Sequence, residues 1–170
     1  HLLLADFDRV ELSNLQRQVL HRTSDIGRPK TESARDHLLA LNPEVSVTLI
    51  DRAMDEDNLA AQVALADVVV DASDNFRTRF AINAACVRAR KPLVSAAAIR
   101  FEAQISVFDA RDPASPCYRC LYGAGAEVEE TCTANGVIAP LLGIAGSVQA
   151  LETMKIIMQI GTTLSGRLLI

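Results

Sequence analysis

Residues 67–71, Asp67-Val68-Val69-Val70-Asp71, form a short run that is apolar on both faces and carries a carboxylate at each end. A strand of that kind needs cover on both sides, and helices packed against the two faces of a parallel sheet supply it. The chain alternates in the same sense on either side of this run. Residues 2–5 and 93–95 read as further buried strands, and Val45, Val47 and Leu49 alternate with Ser46 and Thr48 as a strand does. Helix patterns lie between them. Pro29 opens one in which Ala34, Leu38 and Leu41 share a face while Glu32, Arg35 and Asp36 point away, and Asn42-Pro43 ends it. Residues 55–64 and 76–90 read as two more helices, the second stopped by Lys91-Pro92. The expected fold is α/β, a Rossmann-like, doubly wound, mostly parallel sheet.

From Ile99 the period changes. Ile99, Phe101, Ala103, Ile105 and Val107 alternate with Arg100, Glu102, Gln104 and Ser106, which predicts an added antiparallel strand with one wet face. Residues 109–135 contain Pro113, Pro116, Gly123 and Gly125 without periodicity and read as a long excursion, of the length that usually serves function or is disordered. Ala150, Leu151, Met154, Ile157 and Met158 then form an apolar stripe opposite Gln149, Glu152, Thr153 and Gln159, the pattern of a helix buried along that stripe, and residues 167–170 read as a last strand.

Composition narrows the function. The chain has 170 residues, 49% of them hydrophobic and 22% charged, enough to bury a core as one domain. Its 17 basic and 21 acidic residues give a net charge of −4 with no basic run, so nucleic acid is not the expected partner. The longest apolar stretch, residues 137–150, is interrupted by Pro140, Gly143, Gly146, Ser147 and Gln149, and no membrane span is expected from it. Four cysteines (Cys86, Cys117, Cys120 and Cys132) in a chain with this core argue for reduced thiols or metal ligation rather than a disulfide scaffold, and hence for a cytoplasmic location. Because His1 runs straight into a strand pattern, the chain is expected to be a segment of a longer protein.

Ligands of doubly wound sheets bind beyond the carboxyl ends of the strands. Asp6 ends the first strand there, where a carboxylate can hold ribose hydroxyls or simply be solvated. Asn14, Arg17 and Lys30 are donors in or beside the polar connection that follows, and guanidinium and ammonium groups suit phosphate oxygens. Asp74 follows the strand at 68–70. It could hold magnesium with substrate phosphates, or cap the helix that begins near Phe76. Cys117-Tyr118-Arg119-Cys120 has the spacing of half a zinc site; a redox pair is the competing reading, without the strand and helix expected around one. Cys132, just before a helix pattern, is either a nucleophile activated by a helix terminus or an unreactive thiol.

Taken together, Asp6-Phe7-Asp8, Ser13-Asn14-Leu15-Gln16-Arg17-Gln18, Asp25-Ile26-Gly27-Arg28-Pro29-Lys30, Ser73-Asp74-Asn75-Phe76-Arg77-Thr78-Arg79, Pro92-Leu93-Val94-Ser95 and Cys117-Tyr118-Arg119-Cys120-Leu121 resemble the ThiF/HesA/MoeB family of adenylyltransferases, relatives of ubiquitin-activating enzymes. The resemblance runs along virtually the whole chain. It implies ATP-dependent adenylation of the C-terminal glycine carboxylate of a ubiquitin-like sulfur carrier ending in Gly-Gly, for molybdopterin or thiamine synthesis, with release of pyrophosphate. By the same resemblance Asp6 would hold the ribose, Asn14, Arg17 and Lys30 the phosphates, Asp74 the magnesium ion, Cys117 and Cys120 half of a structural zinc site, and Cys132 a covalent link to the carrier. It also implies a homodimer. The family's Gly-rich loop would precede His1 and its second Cys pair would follow Ile170, so residues 1–170 would be a partial adenylation domain, inactive by itself. Ala96 and Ala103, where the family favours glycine, and Gly123, where proline is common, depart from the pattern. Two other readings stand beside this one. A nicotinamide-dependent oxidoreductase would use Asp6 but has no use for Arg17, Lys30 and Asp74; a non-catalytic partner subunit would not need to keep all three.

Overall fold

The computed structural model describes residues 1–123 and 136–170. They form two compact units, His1–Met54 and Asp55–Ile170. The expected classes of element are present: strands joined by helices with parallel pairing, and an antiparallel addition.

In the first unit, β1 (Leu2–Ala5) pairs in parallel with β2 (Val47–Ile50), Leu2 opposite Val47 and Ala5 opposite Ile50. Helix α1 (Lys30–Leu41) connects them and packs on β2. Its buried face is shorter than the sequence suggested: Ala34 is buried but Leu41 is 82% exposed. The polar segment between β1 and α1 contains two short helical turns, Leu12–Asn14 and Thr23–Asp25, around the buried Val10. Gly27 sits at φ +87° and returns its amide to the Val10 carbonyl at 2.8 Å, a left-handed turn that favours glycine. Asp25, 3% exposed, accepts from the Arg22 amide at 2.8 Å and the Arg28 guanidinium at 3.2 Å, and lies 3.5 Å from His37 Nε2. These donors hold its carboxyl below the usual range, the Arg22 amide contributing most. His21 bonds the buried Ser33 hydroxyl through Nδ1 at 2.8 Å, and its own burial lowers its pKa. A buried polar hub therefore orders a segment that has no regular period.

The second unit holds a four-stranded sheet whose strands lie in chain order. Helix α2 (Glu56–Leu65), N-capped by Asp55, leads into β3 (Val69–Asp71), which pairs in parallel with β4 (Pro92–Ile99) across α3 (Phe76–Ala89). Strand β5 (Glu102–Asp109) returns antiparallel to β4, and β6 (Leu168–Leu169) adds antiparallel to β5. One expectation is corrected here. Residues 99–107 are not a single strand, because β4 runs on to Ile99 and the chain reverses at Arg100, φ +53°, and Phe101, 78% exposed. Nor does the wet face run the length of β5: Glu102 is exposed, but Ser106 is buried and donates to the Arg167 carbonyl at 2.8 Å. The hairpin is covered on both sides. Leu93 and Phe108 meet Val63, Ala85, Cys86 and Tyr118 on one face. On the other, Ala96, Ala98, Ala103 and Ile105 meet Ala145, and Val94 and Val107 meet Ile156.

The excursion after β5 contains the short helix α4 (Tyr118–Tyr122), and the long helix α5 (Ala139–Met158) packs on β4 and β5. Two further corrections concern α5. Its glycines and serine do not break it: Pro140 lies in the first turn, where proline has no amide bond to lose, and the helix is long and apolar enough by length and composition to cross a membrane. Its burial is also the reverse of the pattern expected. Gln149 and Glu152 face inward, whereas Leu151, Met154, Ile157 and Met158 are 49–60% exposed. The inward polar groups have partners: Glu152 accepts from the Leu164 amide at 2.7 Å and from Lys155 Nζ at 2.6 Å.

Candidate functional site

Asp6 stands just beyond β1, as the sequence predicts, and receives the Asp8 amide on Oδ1 at 2.8 Å. Lys30 is the first residue of α1. A cation there opposes the helix dipole, and two carboxylates offset it: Lys30 Nζ is 2.8 Å from Asp8 and 3.8 Å from Asp6. The lysine side chain is 11% exposed, against 42% for Asp6 and 57% for Asp8. A nearly buried lysine side chain at a helix N-terminus, whose ion pairs among the described residues are with solvent-facing carboxylates, is suited to exchange one of them for an anionic ligand. Asp8 was not foreseen, although its place two residues after Asp6 offered the signal.

Asn14 is buried. Its side chain accepts the Glu11 amide at 3.2 Å, and its carbonyl accepts the Arg17 amide at 3.0 Å, so one turn fixes both residues. The Arg17 guanidinium donates to the Ser13 carbonyl at 3.0 Å, which leaves other N–H groups for oxygens of a ligand. Gln18 Oε1, next to Arg17 in the chain, and Thr31 Oγ1, next to Lys30, are buried without a hydrogen-bond partner among the described residues. Unsatisfied buried oxygens in a segment this polar fit a site whose bonding is completed by a ligand.

In the second unit, Asn75 caps α3 by accepting the Thr78 amide at 2.8 Å. Asp74 is therefore not the cap. Its exposed carboxylate accepts from the Asn75 side chain at 3.2 Å, and the rest of it faces solvent, a hard oxygen donor beyond the end of β3. The loop beneath it is pinned on both sides of Ser73. Asp71 Oδ1 accepts the Ser73 amide at 2.9 Å, and the buried Arg79 donates to the Ser73 carbonyl at 2.8 and 3.3 Å. Burial pushes the Asp71 carboxyl up despite those donors. Asp71 was placed by the sequence at the end of the strand beside Asp74, and Arg79 in the same motif, but neither was given a role there.

The Cys117 and Cys120 sulfurs lie 3.6 Å apart. Two thiolates on one tetrahedral zinc, with bonds of ~2.3 Å, stand about 3.8 Å apart, so the turn fits half of such a site. Burial pushes the Cys117 thiol up, but bonds from Cys120 and Asn83 outweigh it and the net shift is downward. A cavity of about 240 Å³ adjoins the pair, lined in part by Asn83, Phe108, Pro113 and Pro116. Among the described residues no group of three or more His, Cys, Asp or Glu side chains could hold a metal ion. Cys86, by contrast, is buried and pushed up to about 12 by burial, with the Asp71 charge adding to it, which makes it a core residue. Cys132 lies outside the described residues.

These features match a known family. The model of the ThiF family matches residues 1–170. The chain is 48% identical over 168 residues to the molybdopterin-synthase adenylyltransferase of Escherichia coli strain K12, covering 99% of this chain and 67% of that protein. It is 44% identical over 161 residues to the sulfur carrier protein ThiS adenylyltransferase of the same strain, covering 95% of this chain and 64% of that one. Among solved structures, Escherichia coli MccB with ATP superposes with a TM-score of 0.81 at 28% identity, over 95% of this chain and 49% of its own. The chain thus spans about two thirds of these two relatives and half of that solved chain. On the full-length family match and these identities, the chain belongs to the ThiF family, whose named relatives are adenylyltransferases.

Proposed function

We propose that this chain is the nucleotide-binding part of an enzyme that uses ATP to adenylate the C-terminal glycine carboxylate of a ubiquitin-like sulfur carrier ending in Gly-Gly. The observation that carries the reading is the Lys30 ammonium, nearly buried at the start of α1 and held by the exposed Asp6 and Asp8. The names of the relatives support the carrier class, and 48% identity against 44% favours the molybdopterin branch over the thiamine branch. Family membership leaves the oxidoreductase reading without support, and the presence of Arg17, Lys30 and Asp74 favours an active enzyme over a non-catalytic partner subunit.

In the proposed reaction a carboxylate oxygen of the carrier attacks the α-phosphorus of ATP, the bond to the β-phosphate oxygen breaks, and that oxygen leaves with the electron pair as pyrophosphate. The attacking group is ionised at neutral pH, so no side-chain base is needed. The protein's work is to align the reactants and to offset growing negative charge. Asp6 holds the ribose hydroxyls, Asn14, Arg17 and Lys30 hold the phosphate oxygens, and Asp74 is the carboxylate for Mg2+. When bound, Mg2+ neutralises phosphate charge and orients the leaving group. Cys117 and Cys120 would give two thiolates to a structural Zn2+, with the remaining ligands supplied outside the described residues; Cys132 would be the residue that links to the carrier. We also propose a homodimer, for which the exposed face of α5 at Leu151, Met154 and Ile157 offers apolar area, and a cytoplasmic location, which suits the three thiols that are free among the described residues. On this reading residues 1–170 are part of an adenylation domain.

Carrier-dependent exchange of labelled pyrophosphate into ATP, measured on the full-length protein, tests the proposal. Exchange that requires the Gly-Gly carboxylate and is lost in Asp74→Ala supports it, while exchange indifferent to the carrier, or hydride transfer to a nicotinamide, overturns it.

A further inference from the structure

Asn83 lies on the inner face of α3, 6% exposed, and both ends of its amide are committed to the thiol turn. Its Oδ1 accepts the Tyr118 amide at 2.9 Å, and its Nδ2 approaches Cys117 Sγ at 3.8 Å, within reach of the long bonds that sulfur accepts. Tyr118 follows Cys117 directly and is itself buried, its ring 5.5 Å from Phe80 and 5.7 Å from Phe108. The turn is thus locked by packing on one side and by Asn83 on the other. Metal-bound thiolates are strong acceptors, and the donors that face them fix their orientation and moderate their charge. A buried side-chain amide is well matched to this task, since it gives an acceptor to the turn's backbone and a donor to its sulfur at the same time.

We propose that Asn83 is a positioning residue for the metal-binding thiolate pair, orienting Cys117 toward the ion through its Nδ2–H and holding the turn through its Oδ1. The inference rests on the reading of Cys117 and Cys120 as metal ligands. Asn83 touches no substrate in this scheme and acts only through Cys117. The role ties the thiol turn to α3, whose first residue follows the Asp74-Asn75 loop, so one helix carries both the cap of that loop and the support of the metal ligands.

The test uses full-length protein loaded with Co2+, whose thiolate charge-transfer band reports the sulfur ligands, and follows metal release to a chelator. Asn83→Asp keeps the acceptor for the Tyr118 amide and loses the donor toward sulfur; Asn83→Ala loses both. We expect Asn83→Asp to have a melting temperature lowered by the carboxylate it buries, to show a shifted charge-transfer band, and to bind the ion about 10- to 100-fold more weakly with faster release, the usual effect on affinity of removing a group that supports a ligand. Asn83→Ala is expected to release it at least as fast. Wild-type release and an unshifted band in both variants overturn the role of Asn83 alone. A wild type that binds no Co2+ overturns the metal reading and the proposal with it. Should neither variant fold, 15N-labelled wild type decides: the Asn83 side-chain amide signal is expected to shift on loading with Cd2+, and a signal that stays in place overturns the proposal.

Discussion

Gln149 Nε2 donates to the Asp71 carbonyl at 2.8 Å and to the Val94 carbonyl at 3.2 Å. One buried amide in the middle of α5 thereby joins the C-terminal end of β3 to the third residue of the adjacent parallel strand β4. It does so just beneath the loop that carries Asp74. Leucine at this position is about as large but leaves both carbonyls without their donor. An unsatisfied buried polar group costs about 1–3 kcal/mol, so Gln149→Leu is expected to lower the unfolding free energy by that amount in urea denaturation. Equal midpoints and slopes for the two proteins would show the bridge to be dispensable.

Asp74 and Asn75 are neighbours with separable tasks. Asn75 caps α3, and losing such a cap costs about 1 kcal/mol. Asp74 is exposed and caps nothing, so its removal should change stability by less than about 0.5 kcal/mol. We expect Asn75→Ala to shift the denaturation midpoint while keeping most of the pyrophosphate exchange, and Asp74→Ala to keep the midpoint and lose the exchange. The opposite assignment of effects would make Asp74 the structural residue.

Lys30 makes a similar separation possible. Its ion pairs are with exposed carboxylates, which contribute little to stability, and its charge opposes the dipole of α1. Lys30→Met keeps the apolar stem and removes the charge. Expected are an unfolding free energy within about 0.5 kcal/mol of wild type and a loss of exchange of about 10²–10³-fold, the size found when one donor to a charged transition state is deleted. A variant that loses stability and activity in proportion would argue for a purely structural lysine.

How far the sequence reveals this structure differs from one element to the next. The apolar runs that become β1 and β3 were legible as strands, and α3 from Lys91-Pro92 at its end, but the cover expected on both faces is not met, since Leu2 and Leu3 are 42% and 39% exposed and Val70 is 48% exposed. The inner face of α5 was not legible. Periodicity assigns the apolar stripe to the interior, yet here Gln149 and Glu152 turn inward, where the Asp71 and Val94 carbonyls and the Leu164 amide are their partners. The turn at Arg100 was hidden by an alternation that continues across it by coincidence of composition. Among the candidate residues, Asp6, Asn14, Arg17, Lys30 and Asp74 were suggested by residue type at polar positions together with the family resemblance. Asn83 was not, since its partner is 34 residues away and a helix-interior asparagine carries no local sign of it.

Cysteine reactivity should divide along burial. Cys86 ionises only near pH 12, so almost none of it is thiolate at neutral pH, and it is shielded from solvent. Cys117 has its thiol lowered and is partly exposed. In the folded, metal-free protein at pH 7.5, iodoacetamide is expected to label Cys117 well before Cys86, as read by peptide mass spectrometry. Labelling at equal rates would mean that the packing around Cys86 opens readily.

Two buried aspartates should give opposite pH signatures. Burial raises the Asp71 carboxyl above its ordinary value of 3.8, so its contribution to stability is fully present below that pH, where the group is protonated in both states, and is lost as the pH rises through the folded value. The Arg22 amide and the other donors lower Asp25, so its contribution is present above 3.8 and is lost as the pH falls through the folded value. Asparagine at either position removes the titration. Relative to wild type, Asp71→Asn is therefore expected to fare better at pH 7 than at pH 3.5, and Asp25→Asn worse at pH 7 than at pH 3.5. Urea denaturation of both variants across this range provides the comparison. Differences from wild type that do not change with pH would mean that neither carboxyl is perturbed by its surroundings, and same-signed slopes would contradict the environment assigned to one of them.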